Sequence, residues 1–80
     1  MAFNKEDNQF VISNYKKEMR KLRKQIKKNN HTVSILSQCD DISEEDVKSI
    51  AARNIPLNER LEQVNDLINS LTKLERRLGL

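Results

Sequence analysis

Residues 56–79 read PLNERLEQVNDLINSLTKLERRLG, and this stretch decides the fold. Leu57, Leu61, Val64, Ile68, Leu71 and Leu78 recur at steps of four and three, with Glu75 where one more apolar residue would fall. Steps of that size put side chains on one face of a helix of 3.6 residues per turn. Leu67 and Leu74 widen the stripe beyond a bare coiled-coil seam, as in a helix that packs into a bundle. Glu59 and Glu62 lie in the first turns and Arg76 and Arg77 in the last, matching the helix dipole. Gly79 follows as a terminator. The helix is expected to start between Pro56 and Asn58 and to run to Leu78.

Upstream, Ser43 followed by Glu44, Glu45 and Asp46 is the clearest helix start in the chain. Ile42 and Val47 have the spacing of a hydrophobic staple across it. This short helix presents Val47, Ile50 and Ala51 and should end near Arg53-Asn54, because Pro56 disfavours helical geometry at Ile55. The first helix is expected from about Glu6 to Lys28, with Val11, Tyr15, Met19, Leu22 and Ile26 on its apolar face. Asn29-Asn30 should break it, since Asn prefers caps and turns to helix interiors. Residues 31–38 suit a short helical turn or a continuation of the first helix, because a lone strand finds no partner elsewhere.

The expectation is an all-α chain forming one helical domain over residues 1–80: a helical hairpin or a three- to four-helix bundle, with two long helices and one or two short ones. A chain of 80 residues, 36% hydrophobic and 34% charged, is too polar for a thick core and too apolar to stay unfolded. Domains of about this size bury only about 60% of their unfolded surface. Completion of the bundle by self-association, most simply as a homodimer with a four-helix core, is therefore expected.

Composition narrows the chemistry. One Gly, at position 79, rules out a glycine-rich phosphate loop. Cys39 and His31 are the only Cys and His, so neither an intramolecular disulfide nor a structural zinc site can form. The acids at 40, 41 and 44–46 lack the alternating ligands and central Gly of a calcium loop; helix-start acids explain them. Residues 1–7 lack the apolar core of a signal peptide, and no apolar run approaches the roughly 18 residues needed to span a bilayer. A cytoplasmic, non-enzymatic protein without cofactor, metal or membrane partner is expected.

The informative feature is the run Lys16, Lys17, Arg20, Lys21, Arg23, Lys24, Lys27 and Lys28, eight cations with Glu18 as the only acid among them. At about 100° per residue these cations span roughly 140° to 300°, opposite an apolar stripe centred near 60°. Residues 1–40 carry a net charge of about +5 and residues 41–80 about −2, the pattern of an anion-binding element on a neutral scaffold. Lys16, Lys17, Arg20, Arg23, Lys24, Lys27 and Lys28 are the candidate nucleic-acid contacts, through phosphates rather than bases. The expected role is that of a small DNA- or RNA-associated accessory or regulatory protein. The alternative is a helical protein-interaction module, such as a small inhibitor or assembly factor, whose basic face meets an acidic protein surface. No aromatic side chain interleaves with the cations, which argues against base stacking.

Overall fold

A computed structural model describes residues 4–79, and these contain three helices: α1 (Lys5–Leu36), α2 (Glu44–Ala52) and α3 (Asn54–Arg77). No strand occurs among the described residues, so the chain is all-α. The leader reading of residues 1–7 falls partly on Met1, Ala2 and Phe3, outside the described residues.

Asn4 starts α1: its side-chain Oδ1 accepts from the Asp7 backbone N–H at 2.8 Å, and Glu6 and Asp7 fill the first turn. The helix does not stop at Asn29-Asn30; it continues to Leu36. Asn disfavours helix interiors because its side chain competes for the local backbone. Here both side chains are engaged elsewhere. The Asn29 amide donates to Asn54 Oδ1 at 2.8 Å, and Asn30 Oδ1 accepts from the Asn54 amide at 2.8 Å. Residues 31–36 are thus a continuation of α1 rather than a separate element.

Ser43 caps α2 as its sequence implies, its Oγ accepting from the Asp46 backbone N–H at 3.3 Å. α2 and α3 are separated by Arg53 alone. Pro56 is the third residue of α3, inside the first turn, where a missing N–H costs nothing. A continuous helix would have needed that N–H to bond Ala52, so the regular hydrogen bonding is interrupted between the two. Gly79, just past the end of α3, has φ +67, a left-handed conformation that glycine adopts without strain.

α1 and α3 form an antiparallel hairpin. Along α1 the less exposed residues are Asn8, Ile12, Tyr15, Met19, Leu22, Ile26, Asn29, Val33 and Leu36; along α3 they are Asn54, Leu57, Leu61, Val64, Ile68, Leu71 and Glu75. Both sets alternate by four and three, the spacing of a coiled-coil seam. Ile12 (5% exposed), Met19 (8%) and Val64 (0%) form the buried apolar core. Ile12, rather than Val11, points inward on α1. Leu61, Ile68 and Leu71 are half-buried, because one facing helix covers only part of so wide a stripe. α2 closes the far end, with Ile42 and Val47 beside Leu36 and a pocket of about 270 Å³ between them.

The chain measures 59 × 18 × 14 Å, so it is an elongated hairpin. Its radius of gyration is 18.2 Å, against about 12 Å for a compact domain of this length. A compact bundle is not reached by one chain.

Met19→Ala should lower the unfolding free energy by about 2–5 kcal/mol, as for a buried methionine. Phe10 is 68% exposed, and Phe10→Ala should stay within about 0.5 kcal/mol of the native chain. Urea titrations at one fixed protein concentration compare the two; similar losses would show that the core lies elsewhere.

Candidate nucleic-acid interface

All eight cations between Lys16 and Lys28 are exposed. The seam residues Met19, Leu22 and Ile26 face α3, so helical geometry turns the cations to the other side of α1. The whole outer half of α1 is basic over about 18 Å of helix axis.

The acid within this run is withdrawn from it. Glu18 takes the Arg60 guanidinium in a two-pronged grip, Oε2 accepting from Nε at 2.9 Å and Oε1 from Nη2 at 3.1 Å. Such forked pairs hold geometry better than single ion pairs. Hydrogen bonding to Glu18 holds the Arg60 guanidinium above its ordinary pKa, with the carboxylate charge adding to it against some desolvation. The Arg60 Nη1 donates to Gln63 Oε1 at 2.9 Å. This is the one ion pair within 4.0 Å among the described residues. Every cation of the α1 run therefore faces water without a carboxylate partner.

The two flanks of the α1–α3 seam differ. On one flank lie Val11, Glu18, Arg60, Leu67 and Leu74, all half-buried. On the other lies an open groove of about 420 Å³ lined by Lys16, Met19, Arg20, Arg23, Asn65 and Ile68. Its floor is apolar and its α1 rim is cationic. The seven candidate contact residues are thus split. Lys16, Arg20 and Arg23 border the groove, while Lys17, Lys24, Lys27 and Lys28 are exposed without lining it.

The groove itself was not legible in the sequence. Asn65 and Ile68 reach it from α3, and only the antiparallel register sets them beside Arg20. The pairing of Glu18 with Arg60 was equally hidden, although a single acid in a basic run was the available signal.

Other chemistry is thinly represented. No group of three or more metal-ligating side chains occurs among the described residues. No helix there is long and apolar enough to cross a membrane. Cys39 is an exposed free thiol whose Sγ lies 3.5 Å from the Ile35 carbonyl, and His31 is an exposed residue of α1. No family model, no curated protein and no solved structure matches this chain.

Glu18→Gln should lower the melting temperature at low salt, because Arg60 loses its charged partner. The pair is exposed to water, 40% on Arg60 and 38% on Glu18, so salt screens it. At about 1 M salt, where the Debye length is roughly 3 Å, the gap between variant and native chain should narrow. A salt-independent gap would assign Glu18 a packing role instead.

Proposed function

We propose that this protein is a non-enzymatic, nucleic-acid-associated accessory or regulatory protein of the cytoplasm, acting as one helical domain that grips phosphates through the outer face of α1. The observation that carries this reading is the unpaired state of the cations: eight on one helix face, with their sole acidic neighbour tied to Arg60. Cations without carboxylate partners exchange only water and counterions for phosphate. Counterion release then drives binding. About 18 Å of duplex carries roughly ten phosphate charges, so the basic face and its ligand are matched in length. Lys16, Lys17, Arg20, Arg23, Lys24, Lys27 and Lys28 are the proposed contacts. Phosphate contacts position a protein without reading bases, so slight sequence preference follows. Self-association belongs to the same proposal, since the hairpin leaves its wide apolar stripe half-covered.

A second reading rests on the groove. An apolar floor of Met19 and Ile68 beside Lys16, Arg20 and Arg23 suits an acidic amphipathic helix of a protein partner, laid in by its apolar residues. Under this reading the chain is an inhibitor or assembly factor.

Mobility-shift titrations separate the two. Native protein should retard both duplex and single strands at low salt, with little sequence preference. Its log–log salt dependence should have a slope of about −4 or steeper, at about 0.9 per phosphate neutralised. Lys24→Glu with Lys27→Glu should abolish the shift while leaving helicity and melting nearly unchanged, because exposed charges contribute little to folding. Failure of the native protein to shift any strand at low salt would eliminate nucleic acid and leave the groove reading.

A further inference from the structure

On α1 the residues facing α3 follow the four-and-three rhythm from Asn8 to Leu36. A residue two places past any of these sits about 200° round the helix, on the line farthest from α3. That line consists of Phe10, Lys17, Lys21, Lys24, Lys28 and Ile35, with Asn14 and His31 in its two remaining places, and all of them are exposed. Four lysines thus lie between two large apolar side chains that face water, Phe10 at 68% and Ile35 at 50% exposure. Ile35 joins the line only because α1 continues through Asn29-Asn30 to Leu36. No acid stands on it: Glu6 and Asp7 precede Phe10 in the first turn, and Glu18 is held by Arg60.

We infer that this line lays the chain along an anionic lipid surface, its four lysines at the headgroup phosphates and Phe10 and Ile35 entering the acyl boundary at either end. The inference goes beyond the proposed grip on nucleic acid and does not rest on it. It also reverses the expectation of no membrane partner, which came from a first helix ending at Lys28 and so lacking Ile35.

Headgroups and polynucleotides offer the lysines the same phosphate chemistry, and the ends of the line separate the two. Phe10 and Ile35 lie about 38 Å apart along the helix axis. A straight line of that length touches a plane from end to end. A duplex winds a full turn in about 34–36 Å, so its backbone curves away from a straight helix well before both ends are reached. A polynucleotide backbone also gives an exposed phenylalanine and isoleucine nothing apolar to enter, whereas a bilayer does. Clusters of four or more cations on an amphipathic helix are suited to anionic lipid, and apolar side chains beside them sink into the headgroup–acyl boundary. The broad apolar face of α1 is occupied by α3. Attachment therefore depends on charge and two shallow anchors, which makes it reversible and salt-sensitive.

Cosedimentation with vesicles tests this, using phosphatidylcholine alone and phosphatidylcholine mixed with phosphatidylserine. The native chain should pellet with the mixed vesicles at low salt, be released as salt rises, and ignore the neutral ones. Lys17→Gln with Lys21→Gln should weaken binding about twentyfold, at roughly fivefold per lysine near an anionic surface. Phe10→Ala with Ile35→Ala should weaken it about tenfold while leaving helicity by far-UV circular dichroism, and any retardation of duplex DNA, unchanged. The chain has no Trp, so Phe10→Trp supplies a single fluorophore whose emission should move to the blue when the mixed vesicles are added. Failure of the native chain to pellet with them at low salt overturns the inference, whatever nucleic acid does. Binding indifferent to the loss of Phe10 and Ile35, or an unmoved Trp emission, overturns it too, since charge alone would then account for adsorption. Equal binding to neutral vesicles overturns the role of the lysines. An equal loss of DNA and vesicle binding in the Phe10→Ala, Ile35→Ala chain overturns the assignment of the two apolar ends to lipid.

Discussion

The two hydrogen bonds of Asn54, one with Asn29 and one with Asn30, hold α1 and α3 in register. Its amide and carbonyl are both satisfied, at 2.8 Å each, and the residue is 8% exposed. Gln25 steadies the cluster by donating to Asn29 Oδ1 at 2.9 Å. A hydrophobic seam with a regular spacing tolerates a slip of one heptad, because leucine meets leucine again. Buried amides do not tolerate it, since a slipped register would leave them unpaired in an apolar setting. The other end of the hairpin carries a matching device. Asn8, fully buried, donates to the Leu71 carbonyl at 3.1 Å and to Glu75 at 3.3 Å. Gln9 donates to the same Glu75 oxygen at 2.7 Å. With polar locks at both ends and apolar packing between, one antiparallel alignment is favoured over its neighbours.

These locks have a cost that the structure displays. Asn8 Oδ1 is buried without a hydrogen-bond partner. Turning the amide over would aim that oxygen at the Leu71 carbonyl and the Glu75 carboxylate and lose both donated bonds, so the present orientation is the better one. Specificity of pairing is gained at the expense of an unsatisfied acceptor, an exchange familiar from polar residues in coiled-coil seams.

How much of this the sequence disclosed follows from which residues act locally. The caps at Ser43 and Gly79 and the boundary near Arg53 were readable, because each depends on neighbours within four positions. The apolar face of α3 was readable from its own spacing. Asn29 and Asn30 misled for the opposite reason: their helix-breaking tendency is local, and what overrides it is Asn54, some 25 positions away along the chain. The inward turn of Ile12 is similar. Val11 and Ile12 are equally apolar, and only the four-and-three rhythm that includes the polar Asn8 and Asn29 selects Ile12. A seam carrying asparagines hides its phase from a search for hydrophobic residues. Glu75 looked like a gap in the stripe of α3, and it is the acceptor that Asn8 and Gln9 require.

The candidate interface was legible as composition and hidden as geometry. A count of charges finds the basic run; it cannot tell a neutralised run from a free one. That distinction turns on a single side chain. Were Glu18 directed outward among the lysines, it would compensate them locally, and the Arg60 guanidinium would stand uncompensated beside Leu67. Its inward turn does two things at once: it leaves the outer face of α1 wholly cationic, and it renders the opposite flank electrically neutral. The hairpin thereby acquires two faces of different character, one suited to anions and one to apolar burial. Because they lie on different sides of the same two helices, occupation of one does not obstruct the other.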